Sequence, residues 1–360
     1  VDFDVLIVGG SLGGSSAALA LKDSGLKVGI IDKANFPRRK PCGEGLSGRG
    51  LEALRGLGIP LNELLRLGKL FQELVVESKG YSTHITAPDG FGLGIARWKL
   101  DNFILEKAKH FATLINDEVL DVFPDGGVLL KSTKLSAKVI IVADGNGKLT
   151  QSLNPSSDSH TRAGVSASFS GNSVNSIDKV FVKICDAFEI YVTPLDSHTV
   201  NVAVLGTSKS DRNIRDVLLS RELYEWMRDT IGFDGLLSSK IYGRAGLNNS
   251  RRRSYIGRVL FAGDSVEQFD PLGGMGMSHA VLTGIAAGHT AKDIITNPDK
   301  LTSMMQAYDS KQKLIAKPIR RHTKISQNLV QIARLFPFTV QVFNTQAGNQ
   351  AIRFMQRITI

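Results

Sequence analysis

The segment Lys40-Pro41-Cys42-Gly43-Glu44-Gly45-Leu46 places a thiol and a carboxyl two residues apart, directly after Arg39 and Lys40. Neighbouring cations favour the thiolate, so Cys42 is a candidate reactive group. Glu44 becomes a general acid or base if the fold removes it from water. Each has a plainer alternative: Cys42 as a small residue closing a tight loop, Glu44 as a solvent-facing carboxylate. The other chemistry-bearing patterns are made of backbone. Val5-Leu6-Ile7-Val8-Gly9-Gly10-Ser11-Leu12-Gly13-Gly14 is an apolar strand running into a glycine-rich turn. Gly9 permits the bend, Gly14 lets the following helix pack on the strand, and that helix's N-terminus suits a pyrophosphate. Ser11 stands where a second glycine would bring backbone against phosphate. Its hydroxyl can donate there instead, with Gly10 and Gly13 leaving slack. Asp32, ending the second strand beside Lys33, can accept hydrogen bonds from a ribose diol.

A matching pattern lies near the other end of the chain. Leu260-Phe261-Ala262-Gly263-Asp264-Ser265 is a strand meeting a Gly-Asp corner, and Asp270-Pro271-Leu272-Gly273-Gly274-Met275-Gly276-Met277 is a glycine-rich helix start. Two nucleotide-type turns at opposite ends suggest one cofactor held from both. That points to a flavin and a redox enzyme. Between them, Arg97 precedes Leu100-Asp101 at a helix start, and Val139-Ile140-Ile141-Val142 runs into Asp144-Gly145-Asn146-Gly147. Taken singly, the first reads as a solvated arginine and the second as an ordinary turn.

The elements that must position these groups follow from texture. Residues 3–8 and 28–31 are strands around a helix over 15–24, a unit of about 30 residues that suits such a fingerprint. Residues 51–70 read as mostly helical with a break at Pro60, and 98–111 as an amphipathic helix. From about residue 158 the pattern alternates: 162–170, 179–184, 189–192 and 199–205 read as strands of an antiparallel sheet. Residues 211–227 are helical, and 258–262 return to buried-strand texture. An α/β layer with a β-rich insertion is the simplest account. With 42% apolar and 22% charged residues, the chain has a globular composition. Cys42 and Cys185 are its two cysteines, too few for a disulfide framework or a four-cysteine zinc site, and a reducing cytosol fits them. No acid or histidine cluster has metal-ligand spacing, and no Gly-x-Ser-x-Gly elbow occurs. No run of about 18 apolar residues is present, and the first residues read directly as a strand, with no leader pattern before them.

In this order, the nucleotide turn, Arg97-x-x-Leu100-Asp101, Asp144-Gly145 and Gly263-Asp264 with Pro271-x-Gly273-x-x-Gly276 resemble the p-hydroxybenzoate hydroxylase fold. That group includes flavin monooxygenases, geranylgeranyl reductases and flavin-dependent halogenases, and the resemblance covers about residues 3–295. It implies a Rossmann-like FAD-binding domain with an inserted antiparallel substrate sheet and a C-terminal helical region. Residues 1–75, 101–157 and 258–300 would be FAD-binding, 76–100 and 158–257 the substrate domain, and 301–360 the basic helical region. Asp264 would hold the ribityl or ribose region. Pro271, Gly273, Gly274, Met275, Gly276 and Met277 would face the isoalloxazine. Arg97 would approach the pyrophosphate or flavin edge, Asp144-Gly145 support the cofactor, and Arg38 sit near the adenosine.

The Pro41-Cys42-Gly43-Glu44-Gly45 segment is similar to the Pro-Cys-Gly-Gly-Gly loop of geranylgeranyl reductases, with Glu44 replacing a glycine. In that family the cysteine is implicated in substrate reduction. The reductases' Tyr-x-Trp-x-Phe-Pro signature falls on Glu189-Ile190-Tyr191-Val192-Thr193-Pro194, which keeps only the proline and puts Tyr191 at the tryptophan. The halogenases' Trp-x-Trp-x-Ile-Pro fits worse, since Trp98 and Trp226 are the two tryptophans. The expectation is an FAD-dependent oxidoreductase acting on a hydrophobic or aromatic small molecule, with NAD(P)H as reductant, by monooxygenation or double-bond reduction. An FAD-binding carrier without turnover is the alternative. His279 reads as a packed helical residue outside the site.

The net charge of +10 is concentrated: nine cations and no acids lie between Lys311 and Ile360. No nucleic-acid module accompanies them. With the apolar residues from Leu329 to Phe343, this region suits either a peripheral contact with an anionic membrane or helices covering the flavin domain. Pro318 and Pro337 are expected to break any single long helix.

Overall fold

The computed structural model describes residues 1–86, 92–145, 147–156, 162–171, 177–207, 213–247 and 250–344. Asn146 of the Asp-Gly corner, and Arg353 and Arg357 of the basic region, lie outside the described residues. One sheet runs in the order Tyr255–Ile256, Val259–Phe261, Lys134–Val142, Phe3–Val8, Val28–Ile31, Ala112–Ile115. Its pairs are parallel apart from the first. The unbroken apolar run of Phe3–Val8 has its reason here: Val5 and Ile7 enter one core, Leu6 and Val8 another. The adjoining helix is Leu12–Ala20, beginning three residues before the expected start. It is buried nearly throughout because the helix Gly276–Thr296 crosses it at backbone distance. A Cβ on Gly284 would stand 2.1 Å from the Gly13 carbonyl oxygen, and one on Gly288 2.5 Å from that of Ala17. The two ends of the chain are thereby locked together.

The second sheet runs Gly235–Leu237, Arg162–Gly171, Thr199–Thr207, Phe188–Pro194, Lys179–Ile184, Glu73–Ser78, Tyr81–Thr86. It is antiparallel apart from the join of Lys179–Ile184 to Glu73–Ser78. Period-2 alternation separates its faces. Phe181, Ile190, Val202 and Val75 pack with Trp226 and Phe233 in one core. Val180, Val182, Leu74 and Tyr191 turn the other way, toward the site.

Local departures from expectation have physical reasons. Only part of 51–70 is helical, as Gly48–Gly56 and Leu61–Leu65; the region ends in the strand Lys69–Phe71, antiparallel to Gly92–Gly94. The helix expected over 211–227 is split into Ile214–Leu218 and Arg221–Trp226 by a new cap, the Ser220 hydroxyl accepting from the Leu223 N–H. Pro318 breaks nothing: Leu301–Leu335 is one helix through it. The carbonyl that Pro318 leaves without a donor belongs to Leu314, which is exposed, so water can serve it. Pro337, by contrast, follows the helix end and opens a short 3₁₀ segment, Pro337–Asn344. The long helix is pinned from within. The Tyr308 hydroxyl donates to the Phe261 carbonyl at 2.6 Å, Arg320 pairs bidentately with Glu267 at 2.9 and 2.8 Å, and Gln327 donates to Asp270 at 2.9 Å.

Candidate active site

Backbone contact shapes the first turn. Gly9 has φ +103°, and a Cβ there would lie 2.5 Å from the Ala143 carbonyl oxygen; on Gly14 it would lie 1.8 Å from that of Gly9. Gly13 is different, since a Cβ would meet ordinary contacts at 3.5 Å. The Gly10 N–H donates to Asp32 Oδ2 at 2.8 Å and the Ala34 N–H to Oδ1 at 2.9 Å, so Asp32 also holds the turn. Lys33 stands on the rim, paired with Glu118 at 2.8 Å.

The replacement of glycine by Ser11 has a structural meaning. Its hydroxyl donates to Asp101 Oδ2 at 2.9 Å and accepts from Arg38 Nη2 at 3.0 Å. The same Asp101 takes both Nε and Nη2 of Arg97, at 2.9 and 2.8 Å. Asp101 is fully buried and Arg97 nearly so. Removing one partner from such a pair costs about 3–5 kcal/mol, because the other is left as a buried charge. Sequence reasoning used Asp101 only as part of a pattern; it is the hub that orients both basic residues.

The same helix start meets the Cys42 loop. The Glu44 N–H donates to Cys42 Sγ at 3.3 Å, the Cys42 N–H donates to Ser166 Oγ at 3.2 Å, and Asn201 Nδ2 donates to the Cys42 carbonyl at 2.9 Å. The Arg97 guanidinium adjoins the Cys42 sulfur. Glu44 adopts φ +59°, a left-handed conformation that costs a residue with a Cβ about 1–2 kcal/mol. This explains why a glycine suits that position. Its Oε1 accepts the Arg97 N–H at 2.9 Å, while Oε2 is buried without a partner. Burial raises the Glu44 carboxyl to about 7, against the smaller opposing pull of Arg97. Glu44 is therefore desolvated, as the acid/base reading required. Tyr191 lines the cavity from the middle of the sheet, and burial holds its phenol well above its ordinary value.

At the far end, Gly263 has φ +64°, and its N–H donates to Thr283 Oγ1 at 2.8 Å. Asp264 lines the cavity beside it. Asp144 accepts from Thr150, through both hydroxyl and N–H, and from Ser265 Oγ at 3.1 Å. It thus braces Gly145, whose φ is +75°. Burial raises the Asp144 carboxyl. Asp270 Oδ1 caps the single turn Pro271–Gly273 by accepting the Leu272 N–H at 3.0 Å, and Gly274 leaves that turn with φ +64°.

Every candidate residue named from the sequence except Gly14 borders one cavity of about 1860 Å³. That exceeds the ~300–1,000 Å³ of an ordinary small-molecule pocket. Beyond the Cys42 loop and Pro271–Met277 it continues as an apolar arm. Leu74, Val76, Ile85, Val180, Val182 and Ile184 form the sheet wall; Leu329, Val330 and Ala333 on the long helix, with Val340 and Val342 beyond it, form the other. Sequence reasoning missed this arm, although the alternation Leu74-x-Val76 and Val180-x-Val182-x-Ile184 carried its sheet half. It also missed Arg244, His322 and Ser326, which border the cavity too. His279 does not. It is buried edge-on against Phe269, and burial lowers it to about 4. Among the described residues no acid, histidine or cysteine group could hold a metal.

The residues fit an FAD. A Cβ on Gly43, Gly274 or Gly276 would meet no protein atom, yet all three border the cavity. Their bare faces leave room for a ligand. Arg38 Nε is buried without a partner at the turn where a pyrophosphate would lie. The chain is 26% identical over 326 residues to menaquinone reductase of Mycobacterium tuberculosis, covering 82% of this chain and 77% of that one. It is 25% identical over 342 residues to digeranylgeranylglycerophospholipid reductase 2 of Methanopyrus kandleri, covering 86% and 82%. A triple mutant of the flavin-dependent brominase Bmp2 superposes with a TM-score of 0.80 at 18% identity over 98% of this chain and 94% of that one, a likeness of fold. Residues 2–320 match the FAD binding domain family. An FAD-dependent oxidoreductase, the chain belongs to that family.

Proposed function

We propose that the chain saturates carbon–carbon double bonds in a polyprenyl lipid, with NAD(P)H as the electron donor. The apolar arm carries this reading: it opens from the Cys42 loop and is walled by aliphatic side chains suited to an isoprenoid chain. Two relatives are named as reductases of isoprenoid lipids, menaquinone reductase and digeranylgeranylglycerophospholipid reductase. Residues 1–75, 101–157 and 258–300 hold the cofactor, 76–100 and 158–257 the substrate. The basic stretch 311–360 makes a peripheral contact with the cytoplasmic membrane surface.

When bound, FAD would supply the hydride chemistry at one carbon of the double bond. Cys42 supplies the proton to the other. The thiolate left behind lies beside Arg97 and accepts the Glu44 N–H, which offset its charge. Glu44, burial-raised to about 7, returns the proton to Cys42. Asn201 and Ser166 hold the Cys42 backbone in place, and Tyr191 packs against the chain being reduced. The test is anaerobic: the chemically reduced flavoprotein is mixed with a polyprenyl quinone, and its absorbance followed. Reoxidation that depends on the prenyl double bonds supports the proposal. If only oxygen with an aromatic substrate reoxidises the flavin, the chain is a hydroxylase; if no organic substrate does, it is a carrier.

A further inference from the structure

The C-terminal end of the long helix presents an apolar surface to solvent. Leu335 is 73% exposed, Phe336 54%, Phe338 55%, Val342 53% and Ile332 46%. Phe336 and Phe338 stack edge to face at 6.3 Å. Beside them is the sheet edge Tyr81–Thr86, where Tyr81 is 41% exposed. Soluble proteins scatter single apolar residues over their surfaces but rarely gather so many. Two of these side chains, Ile332 and Val342, also line the apolar arm. The patch is therefore the outer lip of the cavity. Val340 between them is buried with Val330 and Ala333, and the Ser78 hydroxyl donates to the Ala333 carbonyl at 3.0 Å, so the lip is anchored to the sheet.

We propose that this lip docks on a lipid bilayer and is the portal through which the substrate passes from membrane to flavin. The inference rests on the polyprenyl-lipid reading, because such a substrate resides in the bilayer. Charge favours the same occupant. Lys317 and Lys324 are exposed on the helix that ends at the patch, and no acid follows Asp309 in the sequence. Exposed cations along the helix that leads to an apolar, aromatic tip suit a surface of anionic lipids. No helix among the described residues is long and apolar enough to cross a membrane, so the contact is interfacial.

The test is sedimentation of the FAD-loaded protein with phosphatidylcholine–phosphatidylglycerol vesicles, comparing wild type with Phe336→Ser/Phe338→Ser. Neither phenylalanine borders the cavity. Retained flavin absorbance and an unchanged melting temperature show that the variant is folded. We expect at least about a tenfold loss of vesicle partitioning, a matching loss of turnover on vesicle-embedded polyprenyl lipid, and unchanged turnover on a short, water-soluble prenyl alcohol. Equal pelleting of the two proteins overturns the portal. So does a wild-type dimer, seen by light scattering, that the substitutions dissociate, because the patch then faces a second copy. If vesicle binding falls as expected but wild type saturates no prenyl substrate, the docking stands and the saturase reading fails.

Discussion

Around the Gly9–Gly14 turn, backbone meets backbone, whereas the arm of the cavity beyond the Cys42 loop is walled by interchangeable aliphatic side chains. A Cβ on Gly14 would overlap the Gly9 carbonyl oxygen at 1.8 Å, and one on Gly284 the Gly13 carbonyl oxygen at 2.1 Å. Val180, Val182 and Ile184 need only be apolar and of suitable size to line the arm. Contacts of the first kind tolerate one residue and leave a fixed motif. Contacts of the second kind tolerate several and leave only an alternation. Cofactor identity is therefore written more sharply in this chain than substrate identity.

The contrast is tested hardest at Gly14. Gly14→Val should cost about 3 kcal/mol or more and abolish FAD retention, whereas Gly13→Ala should shift stability by less than about 1 kcal/mol. Thermal melts and bound-flavin absorbance measure both. Equal tolerance at the two glycines would remove the distinction. Asp101→Ala comes next, leaving Arg97 buried and unpaired, with about 3–5 kcal/mol lost in chemical denaturation. Cys42→Ser should leave flavin binding intact and slow lipid saturation by about 10²-fold or more; an unaltered rate would take Cys42 out of the chemistry.

Glu44 gives a pH signature. Folding raises its carboxyl from 4.5 to about 7, so the folded state favours the protonated form. That stability is complete below about 4.5 and is lost as pH rises through about 7. Its extent is roughly 3 kcal/mol. Glu44→Gln should flatten this slope in denaturation at pH 4.5 and 8, and remove the matching limb from the saturation rate. A modest effect on stability is expected at the arm. Val182→Phe should change stability by no more than about 1–3 kcal/mol while raising KM several-fold for long prenyl chains and leaving short ones unaffected.

Much of the cofactor half was legible because its residues have few substitutes. Gly9, Gly14, Asp32, Gly263 and Gly274 are constrained by dihedral angle, close approach or a backbone hydrogen bond, and each appears in a motif. What stayed hidden depends on residues distant in sequence. Asp101 gathers Ser11, Arg38 and Arg97 only once three segments converge. The C-terminal half of the arm was hidden by Pro318, which reads locally as a helix stop but here sits half-buried inside a helix pinned by Tyr308, Arg320 and Gln327. Glu44 was visible as a departure from glycine. Its desolvation was not, since burial belongs to the fold.

The central claim is tested most directly by the product of an anaerobic incubation of FAD-loaded protein, NADPH and a polyprenyl quinone, read by mass spectrometry. The account predicts a product with two added hydrogens per reduced double bond and no added oxygen. A product that forms only under air and carries an oxygen atom, with every prenyl double bond intact, would contradict it.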